Sequence, residues 1–168
     1  EHVRDCVRSS GSKYLVDVYC GVGFFAIETA DLVEQFLGVE LDRLAIQSAR
    51  QNAKNRHRTN GEFVDGRVED LLVRSLERFP AKESTVVLDP PRAGCPPESI
   101  ALLREIRPRQ IIYVSCHPAT LARDLKLFAA ENLYTIASVT PFDMFPQTQH
   151  VECVADLRLN LDVPIQNF

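Results

Sequence analysis

Cys116 is the residue around which the chemistry of this chain can be arranged. It follows the apolar, largely β-branched run Ile111-Ile112-Tyr113-Val114-Ser115, and Pro118 stops the strand that such a run forms. A thiol at the end of a buried strand sits where open α/β sheets hold their reactive groups. Its thiolate, even as a small fraction at neutral pH, is a strong nucleophile. Free cysteine is also among the most buried residue types, so the groups around Cys116 decide its reading. Downstream, Glu152 lies in the apolar stretch Val151 to Ala155. An unpaired charge is costly there, which marks Glu152 as a proton acceptor rather than a surface charge. His117 either lowers the thiol pKa as a neighbour or caps the helix that follows. In both cases the amides at that helix start favour the thiolate. His150 either orients the base or contacts phosphate, or is an interfacial histidine without a catalytic part.

A second group of residues precedes the thiol. Asp17-Val18-Tyr19-Cys20-Gly21-Val22-Gly23 closes a strand and opens a helix. Gly21 and Gly23 let the backbone approach a ligand, and Ala26 stands where a third glycine completes the dinucleotide fingerprint. Glu40 ends the next strand, at the distance where a carboxylate accepts hydrogen bonds from ribose hydroxyls. Its other reading is a charge that offsets a helix dipole. Turn and carboxylate together point to a nucleoside cofactor without separating NAD from S-adenosylmethionine. Asp89-Pro90-Pro91-Arg92-Ala93-Gly94 separates them. Rigid prolines hold the carboxylate and carbonyls over the sheet edge. A nicotinamide enzyme has no need of such a loop. A methyltransferase acting on a planar base does, because the loop can meet both base and methyl donor.

The elements that must position these groups alternate. A short helix over Glu1 to Ser10 is broken at Gly11-Ser12. Strands follow over Tyr14–Val18, Gln35–Glu40, Glu62–Val64, Ser84–Leu88 and Gln110–Ser115. Between them the spacing predicts helices over Phe24–Val33, Arg43–Arg56, Val68–Phe79, Pro97 to about Arg104 and, last, Pro118–Ala130. Asp42 is the N-cap of the second of these, which turns Leu44, Ala45, Ala49 and Ala53 to one face. Two closing strands, Thr135–Thr140 and Val151–Leu159, flank an irregular connection from Pro141 to His150. The pattern is α/β: a doubly wound, mostly parallel sheet with an antiparallel edge.

Composition sets the outer bounds. The chain has 168 residues, 45% hydrophobic and 25% charged, as one ordinary globular domain has. Its net charge of −4 argues against a protein that holds nucleic acid by charge alone, though not against nucleic acid as substrate. Five cysteines without a CxxC pair or zinc spacing predict a reducing compartment, the cytoplasm first, and no metal. No run is long enough to span a membrane. The charged start without Met predicts a fragment or a processed chain.

With these motifs in view, the chain resembles the catalytic domain of the S-adenosylmethionine-dependent RNA uracil-5-methyltransferases. Three blocks carry the likeness: Leu88 to Gly94, Tyr113 to Asp124, and Phe142 to Glu152. The resemblance implies a seven-stranded Rossmann-like methyltransferase sheet, S-adenosyl-L-methionine as cofactor and structured RNA (tRNA or rRNA) as substrate. Cys116 then matches the nucleophile that adds to carbon 6 of uracil, and Glu152 the base that removes the carbon 5 proton. Tyr19, Glu40 and Asp89 match cofactor contacts, beside Asp17, Gly21 and Gly23 of the glycine turn. Asp89, Pro90, Arg92, His117, Phe145 and His150 fall on the substrate side, with Phe142, Met144 and Phe145 as a stacking surface for an unstacked base. Arg50, Lys54, Arg56, His57 and Arg58 either touch phosphates or form a solvated helix face. Cys20 and Cys95 belong near the site without acting in it. The family often has Asn where this chain has Phe24, and commonly Asn at His117. Its upstream region, with a cofactor-binding glutamine and an RNA-binding domain, lies outside this sequence. Two further readings are an exocyclic-amine methyltransferase and a fragment that binds cofactor without turnover.

Overall fold

The computed structural model describes residues 1–144, 146–148 and 151–161, with Leu76 described by its backbone only. Helix α1 (His2–Ser10) ends at Gly11, whose φ of 64° is the left-handed cap conformation that glycine adopts freely. The strands are β1 (Tyr14–Val18), β2 (Gln35–Glu40), β3 (Gly61–Asp65), β4 (Ser84–Leu88), β5 (Gln110–Ser115), β6 (Tyr134–Phe142) and β7 (Glu152–Leu159). Between them run α2 (Phe24–Thr29), α3 (Arg43–Asn55), α4 (Val68–Arg78), α5 (Pro97–Ile106) and α6 (Pro118–Ala129).

The strands form one seven-stranded sheet in the order β3-β2-β1-β4-β5-β7-β6. The first five are mutually parallel, as right-handed helical crossovers require. Strand β7 runs against β5 and β6 and lies between them, so the antiparallel edge is a pair of strands. The central strands are buried on both faces and accordingly read as near-continuous apolar runs. One face packs Val3, Val7, Ala26, Ile27, Ile46 and Ala49 of α1, α2 and α3. The other packs Val68, Leu72, Ile100, Leu103, Leu125 and Phe128 of α4, α5 and α6. Helix α1 is tied to the sheet by Gln110, whose amide donates to the Cys6 carbonyl (3.1 Å) and the Asp156 carboxylate (2.8 Å).

Three expectations are adjusted. The helix after the glycine turn ends at Thr29, and Ala30–Leu32 form a 3-10 turn. In α3 the buried stripe is Ile46, Ala49 and Ala53; Leu44 is 71% exposed and Ala45 half-buried. Leu44 precedes Ile46 by two residues, which carries it about 200° round the helix. Strand β6 continues through Pro141 and Phe142, which pair with Cys153 and Glu152. Proline is tolerated there because β6 is the sheet edge, where no further strand needs its N–H.

A candidate active site at the carboxyl ends of the strands

Side chains alternate along a strand, so residues two apart share a face. Leu15, Phe36, Val87, Ile112, Val114 and Val154 face α1, α2 and α3. The same alternation carries Asp17, Glu40, Asp89, Cys116 and Glu152 to that face, toward the sheet's carboxyl edge. The strand registers put Glu40 and Asp89 level with one another, since Val18 pairs with both Val39 and Leu88 one residue earlier, whereas Asp17 lies deeper, level with Gly38 and Val87. On the antiparallel side Ser115 pairs with Cys153, the last rung of that ladder, and Cys116 and Glu152 lie one residue beyond it.

Asp89, Cys116 and Glu152 meet in a cleft of about 640 Å³. Its walls are the first turn of α1, Phe24 and Phe25 of α2, and Phe142 and Met144. Cys116 is a free, half-buried thiol, and Glu152 is half-buried. Asp89 as a residue remains exposed, yet desolvation of its carboxyl by the groups around it, and then the charge of Glu152, push that carboxyl up to about 6. Its main-chain N–H donates to the Val18 carbonyl (3.3 Å), which fastens the start of the proline loop to β1. Pro90 is buried, whereas Arg92 is exposed and its guanidinium has no partner among the described residues.

His117 takes the capping role. Its Nδ1 accepts from the Thr120 amide (3.3 Å) at the start of α6, and the ring is not part of the cleft wall. Cys116 thus stands two residues before the first residue of a twelve-residue helix.

The glycine turn follows β1, and Asp17, Tyr19, Gly21, Gly23 and Glu40 lie outside the lining of that cleft. Glu40 accepts from the amides of Gly21 (3.2 Å), Leu41 (2.7 Å) and Asp42 (3.0 Å). The capping of α3 falls to Asp42, which accepts from Leu44 and Ala45. Glu40 is therefore not the helix cap; it is a carboxylate held by backbone over the β1–β2 crevice. Gly21 has φ 51° and open space where a Cβ would point. Gly23, at φ 84°, lies so close to the Phe63 ring that a Cβ would stand 2.7 Å from it. Of the two glycines, Gly21 leaves room for a ligand and Gly23 lets the turn pack on β3.

Asp17 is fully buried beneath this turn. Its Oδ2 accepts from the Ala26 amide (2.9 Å), and its Oδ1 has no partner among the described residues. Burial pushes its carboxyl up to about 7, with Asp89 and Glu40 adding to the shift. Tyr19, at φ 62°, turns its phenol to Ser99 Oγ (3.3 Å) and packs against the opposite core, so what it can offer the cleft is main chain. The open cradle at Gly21, the orphaned Asp17 oxygen and the anchored Glu40 fit a nucleoside ligand that bears hydroxyls and a cation.

Other expected residues are placed as follows. Phe24 is 62% exposed and meets Phe25 edge-on at the cleft wall. Phe145 and His150 lie outside the described residues. Of the cations in and just after α3, Arg50 donates to the Phe63 carbonyl, Arg56 pairs with Glu28 and Arg58 with Asp31. Cys20 and Cys95 are buried, and burial pushes the Cys95 thiol up to about 12. Among the described residues no cluster of His, Cys, Asp and Glu is placed to hold a metal, and no helix is long and apolar enough to cross a membrane. The sequence reading missed Tyr113 and Asp124, which fasten the proline loop from behind. The available signal was an aspartate between Leu121 and Leu125, on the apolar stripe of α6.

Comparison with known proteins places this geometry. Residues 1–159 match the tRNA (uracil-5-)-methyltransferase family. An uncharacterized RNA methyltransferase of Thermotoga maritima is 38% identical over 157 residues, 94% of this chain and 35% of its own length. One from Bacillus cereus is 40% identical over 152 residues, 90% of this chain and 33% of its own. The chain thus spans about a third of the length of the curated relatives it matches. The crystal structure of Pyrococcus abyssi tRNA (uracil-54, C5)-methyltransferase with S-adenosyl-L-homocysteine superposes with a TM-score of 0.75 at 35% identity, covering 93% of this chain and 38% of that one. An rRNA methylase from Streptococcus thermophilus, 12% identical with a TM-score of 0.72 over 94% of both chains, shares the fold alone. By its family match and its relatives, this Rossmann-like chain belongs to the tRNA (uracil-5-)-methyltransferase family.

Proposed function

We propose that this chain is the catalytic part of an RNA methyltransferase that acts on carbon 5 of a uridine through a covalent bond to Cys116. The observation that supports the reading is a single cleft lined by both a thiol and a carboxylate, Cys116 just after β5 and Glu152 at the start of the neighbouring β7. Bound along the glycine turn, S-adenosyl-L-methionine supplies an electrophilic methyl group. Glu40 accepts from its ribose hydroxyls, and Gly21 gives the main chain room to lie against it. The crystal of the P. abyssi relative with S-adenosyl-L-homocysteine supports that choice of cofactor.

Cys116 Sγ adds to carbon 6 of the uracil, and the ring π electrons move onto carbon 5 and the carbonyl. Carbon 5 would then take the methyl group that the bound cofactor would supply, with its carbon–sulfonium bond breaking. Glu152 takes the proton from carbon 5, the double bond re-forms and the thiolate leaves. One difficult step is thereby divided into easier ones. Asp89, between cofactor turn and thiol, is placed to hold either the base edge or the cofactor.

Phe24, Phe25, Phe142 and Met144 of the cleft lining offer surfaces on which a base taken out of its stack can rest. The net charge of −4 supports an RNA grip supplied from outside these 168 residues. Transfer RNA, named for the P. abyssi protein, is the first substrate to test. An exocyclic-amine methyltransferase has no use for the paired Cys116 and Glu152.

The test is incubation of the intact protein with transfer RNA and S-adenosyl-L-methionine, followed by mass spectrometry of the digested nucleosides. The expected product is 5-methyluridine, formed by the native protein and not by Cys116→Ala. A methylated amine instead, or product from the alanine variant, overturns the reading.

A further inference from the structure

Behind the sheet, away from the cleft, lies a carboxylate that the proposed chemistry does not use. Asp124 is fully buried on α6. A carboxylate at such a place is costly unless donors meet it, and its donors converge from three directions. Oδ2 accepts from the Tyr113 phenol (2.6 Å) on β5 and from the Cys95 amide (2.9 Å) at the end of the proline loop. Oδ1 accepts from Arg123 Nε (2.8 Å), and Arg123 Nη2 donates onward to the Ala93 carbonyl (3.0 Å). The Cys95 amide also donates to the Tyr113 oxygen (3.0 Å), which closes a triangle.

The loop is pressed against α6 more closely than a side chain permits. Gly94 has φ 84°, and a Cβ there would lie 2.6 Å from Asp124 Oδ2 and 2.5 Å from Arg123 Nη2. Thr120 Oγ1 donates to the Arg92 carbonyl (3.2 Å), a further tie between loop and helix. Asp89 is therefore held from two ends: its own amide on β1, and residues 92–95 on α6. Helix α6 is the element that starts two residues after Cys116, and Tyr113 lies three residues before it on β5.

We propose that Asp124 is a positioning residue, whose carboxylate fixes the loop from Asp89 to Cys95 against the strand and helix that flank Cys116. Its effect on rate rests on the methyl-transfer reading; its effect on the loop does not. The oxygen of a neutral amide can hold both the phenol and the main-chain amide, so Asp124→Asn keeps those two bonds and gives up the one from Arg123, whereas Asp124→Ala releases all three.

Two measurements on the intact protein test this. In hydrogen exchange, Asp124→Ala is expected to speed the Cys95 amide at least about tenfold relative to the amides of β1, and Asp124→Asn by no more than about threefold. In methyl transfer, kcat of Asp124→Ala is expected to fall at least about tenfold with KM for RNA unchanged, and Asp124→Asn to restore most of it. An unchanged Cys95 amide in Asp124→Ala, a loss confined to KM, or an asparagine variant as slow as the alanine variant overturns the proposal. Should Asp124→Ala not fold, Tyr113→Phe, which removes one corner of the triangle, decides: faster exchange at Cys95 supports the proposal and unchanged exchange overturns it. If the native protein transfers no methyl group, the proposed function fails, and the exchange result alone settles the positioning.

Discussion

Cys116 and Glu152 each lie one residue beyond Ser115 and Cys153, the last pair of the β5–β7 ladder. Both side chains line one cleft with Asp89. Phe142, which pairs with Glu152 on its other side, joins the same wall.

The thiol is the first point to probe. Cys116→Ala is expected to abolish methyl transfer and the gel-stable adduct with 5-fluorouracil RNA. Cys116 is half-buried at a strand end, so the substitution should change unfolding stability by no more than about 1 kcal/mol in urea melts. An adduct formed by the variant would assign the nucleophile elsewhere.

For Glu152 the order of events matters. Glu152→Gln keeps the size of the side chain and removes the base, so the adduct should form and persist while turnover drops about 100-fold or more. The ratio of trapped to released RNA reads this directly. If no adduct forms, Glu152 acts before methyl transfer.

The same substitution should alter the pH profile. Asp89 carries a carboxyl raised to about 6, first by desolvation and then by Glu152. Activity that needs it ionised rises with pH through about 6. Removing the Glu152 charge leaves desolvation as the cause of the shift, so the acid limb should move to lower pH without reaching the ordinary carboxylate range. A limb unmoved between native protein and Glu152→Gln would separate it from Asp89.

Stability should depend on pH through Asp17. Its folded carboxyl is raised to about 7, against about 3.9 in an unfolded chain. Between those values the folded protein holds a proton that the unfolded chain has lost, so stability falls as pH rises through that window. The melting temperature should therefore climb as pH is lowered from 8 to 6, and Asp17→Asn should lose most of that climb. An identical slope in both proteins would rule Asp17 out as its source.

The two glycines of the turn should fail in different ways. Gly23→Ala drives a Cβ into the Phe63 ring at positive φ, and should cost about 1–3 kcal/mol of stability. Gly21→Ala meets only the strain of positive φ, about 1 kcal/mol, because its Cβ would enter open space. That space is where the nucleoside is proposed to lie, so Gly21→Ala should weaken S-adenosyl-L-homocysteine binding in calorimetry far more than it lowers the melting point. Equal affinity in Gly21→Ala and native protein would move the cofactor off this turn.

The alternation of elements and the row of polar groups at the strand ends were legible in the sequence because they are local. Val86 to Leu88 is apolar since both faces are covered, and Asp89-Pro90-Pro91 must then leave the sheet. What was illegible was relational. Leu44 and Ile46 are equally apolar in a helix rich in arginine and glutamine, and only the packed sheet chooses Ile46. Pro141 looks like the start of a loop until β6 is known to be the edge strand. His117 has a cap and a thiol within reach, and its ring orientation decides for the cap. Asp124 meets Cys95 across 29 residues of sequence, a separation no local pattern encodes.

The placement of β7 between β5 and β6 also sets an order of assembly. Strands β1 to β6 precede Glu152 in the chain, so the thiol at the end of β5 emerges before any base can face it. Until β7 inserts, β5 is an open edge, with unpaired amides and carbonyls beside Cys116. A nascent or truncated chain that stops short of β7 therefore bears a thiol without its partner, next to a surface prone to pairing with other strands. Strand β7, the last of the described strands, brings Glu152 to the cleft and covers the edge of β5 together.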